Sequence, residues 1–480
     1  MNSIKNNKYY IILCIIMELI AISFLWGTEA KLTFIAVIAG IPISIGIFIY
    51  MASSFENTIL ATFLSIYLLP IIGYFLNRIG MLDKQWIVYT LYYLVILALL
   101  IKNGLFKRIN RDKNIIKNKI LRVVILIMII VNSILAFNKQ VSFMILLLSF
   151  IPFIFLFYVI RTSSFENKKI FYNKILEVNI LGCLISLIPD FLFYIVSLLR
   201  GVEQANNKLY GPLGSNAILA YSLLMFIITL SKWAKVDGIK NRWTLYVIGY
   251  SLSIGIQRSR GALIAIFSTF ILYLLFNIKN WKKYLIVFLF VGVMVSGNVA
   301  SRPDVADEET ITEIQNIIEE PQVSKKSTFN EVIKKVLESQ SKTRQVIWQS
   351  AIDITNDYKY TGVGMGNFKF FFNEYSGTTK SYIDAHNLLL NFSAEFGIIF
   401  TLIALILIVK MGIDSLVGYF KTKGKEKLTY LSLGIMIAIF FIYGNLTGIA
   451  FNFTGEIYSF SSTFMILFAL FYMDYINEFI

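Results

Sequence analysis

The sequence predicts an all-α polytopic membrane protein of about 12–14 spanning helices, on three observations. Its 480 residues are 57% apolar and only 15% charged, with a mean hydropathy of +0.69, whereas soluble domains are about half apolar and a quarter charged. Apolar stretches close to the ~20 residues that cross a bilayer recur from Tyr9 almost to the C-terminus. The basic residues gather in short clusters between those stretches, the pattern left by retention of Lys and Arg on the cytoplasmic side.

Taken in order, the apolar runs place spans at 9–25, 32–51, 58–76, 86–101, 121–137, 141–160, 175–199, 216–231, 243–257, 261–277, 284–299, 386–409, 428–444 and 457–474. The first run reads as a span and not as a cleaved leader, since a series of similar runs follows it. The two cysteines, Cys14 and Cys183, lie inside apolar runs and are too few for a disulfide framework or a four-ligand zinc site.

The connection Lys102 to Arg122 fixes orientation, because it carries Lys102, Lys107, Arg108, Arg111, Lys113, Lys117, Lys119 and Arg122. With it inside, both termini are cytoplasmic. The connections Arg161–Lys174, Lys232–Arg242, Lys279–Lys283 and Lys410–Lys427 then also fall inside. About 26 Lys and Arg lie inside and about 8 in short outside loops, and about 10 more sit in one long segment. This distribution accounts for the net charge of +15, so nucleic acid is not an expected partner.

Three regions follow: an N-terminal bundle of about eleven spans over 1–299, an extracytoplasmic loop over 300–385, and a C-terminal bundle of about three spans over 386–480. The start of the loop, with Asp304, Asp307, Glu308, Glu309, Glu313, Glu319 and Glu320, is acidic and solvated. Between Phe329 and Asp357, Val332, Ile333, Val336, Leu337, Val346, Ile347, Ile352 and Ile354 recur at helical spacing and predict two amphipathic helices.

Three features that carry chemistry all fall outside in this scheme. Arg258 and Arg260, in Gln257-Arg258-Ser259-Arg260-Gly261, stand between apolar runs with no acid nearby in sequence. Arginine at membrane depth costs about 2.5–3.5 kcal/mol, and guanidinium forks suit phosphate; snorkelling to the interface is the alternative. Gly362-Val363-Gly364-Met365-Gly366-Asn367-Phe368 follows Arg344 and Trp348 and lacks dinucleotide-fingerprint spacing. Its glycines, Gly364 and Gly366 among them, permit positive φ and close approach of a ligand, or else a plain turn. His386, the only histidine, stands in Asp384-Ala385-His386-Asn387 at the mouth of a span. Imidazole titrates near pH 6.5 and can take a proton from a sugar hydroxyl, although a lone histidine at a helix start is commonly structural. A histidine-based metal site is not expected, while Glu374 and Asp384 leave a divalent cation open. Asp190, after Pro189, and the segment Tyr210–Asn216 are secondary candidates, with Asn216 a possible sugar contact.

These residues together resemble the O-antigen ligase and polysaccharide polymerase superfamily over roughly Tyr210 to Ile399. The matching pieces are Gly214-Ser215-Asn216, Arg258-Ser259-Arg260-Gly261-Ala262, Thr343-Arg344 through Trp348, the glycine-rich turn, and His386-Asn387, which nine residues separate from Gly397. The ligase-type ending departs at Phe400, where a small or tyrosyl residue is the pattern. That departure, with a Lys- and Ile-rich composition suggesting an AT-rich genome without lipopolysaccharide, favours a polymerase over a ligase.

The resemblance implies a GT-C-like, metal-independent inverting transferase, free of cofactors, in a bacterial plasma membrane. The donor would be an undecaprenyl-pyrophosphate-linked glycan and the acceptor a glycan, among membrane lipids and with a flippase and a chain-length regulator as partner proteins. Arg260 and Arg344, supported by Arg258, would hold the pyrophosphate, His386 would face the acceptor, and Asn216, Gly364, Gly366 and Asn387 would contact substrate. A ligase, a protein oligosaccharyltransferase and, from another class, a transporter or flippase are the competing readings. The transporter reading lacks an internal repeat or paired broken helices in the sequence.

Overall fold

The computed structural model describes residues 46, 49–67, 85–109, 119–199, 215–236, 238, 241–256, 260–276, 284–285, 344–378, 382, 384–447, 453–454, 457–458, 471–472 and 475–476. The described chain is a bundle of α-helices. They are α1 Phe55–Ile66, α2 Gln85–Lys102, α3 Leu105–Arg108, α4 Lys119–Leu135, α5 Lys139–Ile145, α6 Ile151–Thr162, α7 Lys168–Leu199, α8 Ser215–Lys235, α9 Arg242–Ile256 and α10 Arg260–Phe276. Beyond them come α11 at 344–357, then α12 Phe368–Ser376, α13 Leu388–Lys421 and α14 Lys427–Thr447. One two-residue antiparallel pair, Phe453–Thr454 with Ile457–Tyr458, is the strand content among the described residues.

The helices form because their interiors are apolar and their ends are closed locally. Ser54 caps α1 by accepting from the Asn57 amide, and Asn138 caps α5 by accepting from Val141. Four described helical stretches are long and apolar enough to cross a membrane: Lys139–Thr162, Lys168–Ile188, Leu388–Lys421 and Gly424–Asn445. Leu91, Leu94, Ile127, Ile134, Leu245, Ile271, Leu402 and Ile406 are exposed on the helices, which is the surface a bilayer covers. The expected span 9–25 lies outside the described residues, as do most of 32–51, 284–299 and 457–474. Of the two amphipathic helices expected between Phe329 and Asp357, the second is α11 and the first lies outside the described residues.

Inter-helix contacts set the directions of the helices. In the antiparallel α13–α14 pair, Leu388 meets Gly444, Ser415 meets Gly434, and Tyr430 covers Gly418. Ser231 near the end of α8 donates to the Leu428 carbonyl at the start of α14 (3.1 Å), and the Trp233 indole donates to Thr244 of α9 (2.7 Å). The Tyr419 hydroxyl donates to the Phe276 carbonyl (2.9 Å), so α10 and α13 finish at the same end. Two buried tyrosine hydroxyls donate across helices, Tyr250 to Ile180 O (2.6 Å) and Tyr67 to the Asn179 side-chain oxygen (3.0 Å). In a lipid-surrounded core such hydrogen bonds tie helices together where hydrophobicity alone cannot.

These directions gather the basic connections at one end. Ser164 N donates to Arg108 O (2.9 Å), Lys232 donates to Asn173 (2.6 Å), Arg242 pairs with Glu177 (2.9 Å), and Lys235 pairs with Glu426. The Arg161–Lys174, Lys232–Arg242 and Lys410–Lys427 connections thus meet there, with the start of the Lys102–Arg122 connection, as the positive-inside pattern requires of connections on one side.

Lys232, in the connection after the 216–231 span, gives this end a pH signature. Burial first, then the Lys235 charge, lowers its amine from 10.5 to about 8, against the raising pull of Glu177 and Glu426. Between pH 8 and 10.5 the unfolded lysine keeps a proton that the folded one has lost, so stability rises with pH across that window and is level below it. The full effect is about 3 kcal/mol. Thermal unfolding at pH 7.5 and 10 is expected to show this gain in the wild type and to lack it in Lys232→Met; equal pH responses would contradict it.

Candidate functional site

The end opposite the basic connections is organised around a break in α13. Gly397 has φ +82 inside the helix, and a Cβ there would lie 2.6 Å from the Tyr360 carbonyl carbon and oxygen. The break frees backbone groups that an unbroken helix would pair internally, and at membrane depth each needs another partner. The glycine-rich turn supplies them. Val363 N donates to Ala394 O (2.9 Å), Gly364 N to Glu395 O (3.0 Å), and Ile398 N to Lys359 O (2.8 Å). Gly362 has φ +64 and presses against the Glu395–Phe396 peptide, where a Cβ would stand 2.3 Å from the carbonyl. The expected span over 386–409 is a broken helix, Leu388–Lys421, that runs on beyond residue 409.

A second layer holds the turn from the corner between α4 and α5. The Asn132 side chain donates to Thr361 O (2.8 Å) and Glu395 O (2.9 Å) and accepts from Met365 N (3.0 Å). Asn367 accepts from Asn138 N (2.8 Å) and donates to Ser142 (2.8 Å), whose hydroxyl donates to Met365 O (2.7 Å). Phe137 N donates to Val363 O (3.0 Å). These amide and hydroxyl groups are thereby satisfied in one network, and each net bond contributes about 0.5–1.5 kcal/mol.

Gly364 and Gly366, expected to approach a ligand, are buried. At Gly364, with φ +99, the close neighbour is Ala136, whose Cβ lies 2.2 Å from an added Cβ. Gly366 has φ +72. The close approach that the turn makes at Gly364 is to the chain's own Ala136.

A small core outside the main one joins the remaining pieces. Ile347, Ala351 and Ile354 of α11 pack with Val363, Phe368, Phe371, Phe372, Ala385 and Ala394. Arg344 stands three residues before Ile347 and seven before Ala351, on the same helix face one turn nearer the start of α11. It is half-buried and makes no hydrogen bond or ion pair with the described residues. The Trp348 indole nitrogen, one turn on, is buried without a partner among them. Thr355 and Ser393 hydroxyls meet at 3.0 Å and tie α11 to α13.

His386 lies between these elements, in a left-handed backbone conformation with φ +47. The Asp384 carboxylate oxygen Oδ1 accepts from the His386 amide at 2.7 Å and lies 2.7 Å from the imidazole Nδ1. The second contact is short but off the hydrogen-bond line of the ring, and Nδ1 itself is buried. Asp384 is 7% exposed in its side chain and His386 34%. The Tyr382 ring stands edge-on to the imidazole with centroids 6.1 Å apart. Asn391 fixes the segment by accepting from Ala385 N (3.1 Å). Asn387, expected to touch substrate, uses its side-chain oxygen to cap α13, accepting from Leu389 and Leu390 (3.1 Å each).

The other predicted residues are placed by their helices. Arg260 is the first residue of α10, and the contact of Phe276 with Tyr419 puts that start at the His386 end. Asn216 stands in the first turn of α8, whose far end meets Glu426, so it too lies at the His386 end. The side chains of Arg260, Asn216 and Asp190 and the whole of Arg258 lie outside the described residues.

Sequence reading missed two acids here. Asp384 was weighed as a cation ligand, not as the neighbour of the imidazole. Glu395 was lost within an apolar run, yet it is fully buried, facing the Gly366 and Phe368 amides and the Asn391 side chain outside strict hydrogen-bond geometry. The available signal was an acid within a span, a functional candidate by default.

No curated protein matches the chain. The segment 245–405, which contains Arg258, Arg260, Arg344, the glycine-rich turn, His386 and Gly397, matches the family model described as O-Antigen ligase. That match supports the resemblance of this segment to the O-antigen ligase and polysaccharide polymerase superfamily.

Proposed function

We propose that this protein transfers a glycan from an undecaprenyl-pyrophosphate carrier to a sugar hydroxyl on the extracytoplasmic face of a bacterial plasma membrane, polymerising the repeat units of a capsular, exo- or O-antigen-type polysaccharide. One arrangement carries the reading: the helix that carries Arg344 and the turn that bears the sole histidine share a small core within the family-matched segment. That core lies at the end of the bundle away from the basic connections, which favours the extracytoplasmic side.

The roles follow from charge and geometry. Arg344 and Arg260, with Arg258, bind the pyrophosphate and offset the negative charge that grows on it as the sugar C1–oxygen bond breaks. His386 takes the proton of the attacking hydroxyl while the new C1–oxygen bond forms on the opposite face, so the anomeric configuration inverts. The carrier leaves as its pyrophosphate, and the imidazolium returns its proton to water. The donor arrives already activated on its lipid, and the arginines supply positive charge, so the reading assigns no nucleotide and no metal.

The test is the profile of lipid-linked saccharides, by mass spectrometry, in the native host lacking this chain and complemented with wild type or Arg344→Ala. Single repeat units are expected to accumulate in its absence, to be drawn into polymer by the wild type and to remain with Arg344→Ala. Accumulation of long lipid-linked glycan would move the assignment to a ligase. An unchanged profile would contradict glycosyl transfer.

A further inference from the structure

The geometry points to Asp384 as a positioning residue that holds His386 in the Nδ1–H tautomer and so presents Nε2 as the proton acceptor. The inference deepens the proposed function and rests on it for its catalytic meaning, though not for its measurement.

Two contacts converge on one carboxylate oxygen. Asp384 Oδ1 accepts from the His386 main-chain amide and lies 2.7 Å from Nδ1 of the ring. The first contact is the Asx turn of an aspartate two residues before its donor, and it holds His386 at φ +47, a conformation few residues other than glycine adopt. With the backbone so turned, the ring folds back over the acid that turns it. An anion at that distance favours a hydrogen on Nδ1 and disfavours a lone pair there. The contact is short but incompletely aligned, and catalytic hydrogen bonds of this kind tighten in a substrate complex.

Exposure agrees with this assignment. Nδ1 is buried, whereas a third of the His386 side chain is exposed, so solvent and substrate reach the ring from its other edge, which carries Nε2. With Nδ1 protonated, Nε2 holds the lone pair and can accept the proton from a sugar hydroxyl. The opposite tautomer would offer that hydroxyl an N–H and could not act as base.

The surroundings hold the acid in place. Ala385 N is fixed by Asn391, and Tyr382 stands against the imidazole. The apolar face of α11, the helix that carries Arg344, packs on Ala385. Asp384 acts through His386 and touches no reacting atom, so its removal is expected to lower kcat and leave KM for the acceptor within about twofold.

His386 is the only histidine in the chain, so histidine labelled with nitrogen-15 reports this imidazole alone. The experiment is nitrogen NMR of the full-length labelled chain in lipid nanodiscs, without substrate, at a pH where the ring is neutral. The wild type is expected to show predominantly the Nδ1–H form. Asp384→Ala is expected to shift it toward Nε2–H, the form favoured by free histidine in water. Asp384→Asn, which keeps an acceptor for the backbone turn, is expected to fall between them, with kcat lowered at least about tenfold. A wild-type ring predominantly in the Nε2–H form would overturn the inference, and that spectrum alone decides it if both variants fail to fold. Nδ1–H in a chain without transferase activity would refute the proposed function and leave the tautomer assignment standing.

Discussion

Gly397→Ala is expected to unseat the glycine-rich turn and lower stability by about 2–5 kcal/mol. Two costs add: an alanine held at φ +82 is disfavoured by about 1–2 kcal/mol, and its Cβ would lie 2.6 Å from the Tyr360 carbonyl, where overpacking costs about 1–3 kcal/mol or more. Backbone cannot swing aside as a side chain can. The relief available is for α13 to straighten, which would withdraw the Ala394 and Glu395 carbonyls from Val363 and Gly364. Gly412→Ala is the matched control, since nothing lies within 4 Å of its added Cβ in the same helix. Thermal unfolding in nanodiscs, with hydrogen exchange over 358–367, is expected to separate the two variants. Equal stability would mean that the break in α13 does not seat the turn.

His386→Ala is expected to lower transfer by about 10²–10⁴-fold, the usual contribution of a general base, with stability close to wild type because the ring is only partly buried. The backbone consequence is small if alanine keeps the turn that Asp384 makes with residue 386. His386→Asn separates the two roles, since asparagine tolerates positive φ but has no comparable base. Both variants are expected to be equally inactive, and both to elute as intact protein. Full activity in either would remove His386 from the reaction as an obligatory base.

Much of the architecture was legible because apolar length and loop charge are local signals. The spans at 86–101, 216–231, 243–257 and 261–277 correspond to α2, α8, α9 and α10, and the amphipathic period ending at Asp357 corresponds to α11. The joining of the site was not legible. Asn132 reaches Thr361 and Glu395 across 229 and 263 residues, and no local pattern announces a pairing so distant. The break at Gly397 was equally hidden, since a single glycine in an apolar run reads as a tolerated helix residue until a backbone is found pressed against it. The cap that the Asn387 side-chain oxygen makes on α13 has a local signal, an asparagine immediately before an apolar run. The glycines of the 362–366 turn were recognised as sites of close approach, and the structure identifies the partner of that approach for Gly362 and Gly364 as the chain itself.

The most direct test is reconstituted transfer. The purified full-length chain in proteoliposomes, given a defined undecaprenyl-pyrophosphate-linked repeat unit as both donor and acceptor, is analysed by mass spectrometry and by the anomeric configuration of the new bond. Products growing by whole repeat units through an inverted linkage, formed by wild type and lost in His386→Ala, are the result expected. An unaltered donor with the folded wild-type chain, or equal product from His386→Ala, would contradict the account.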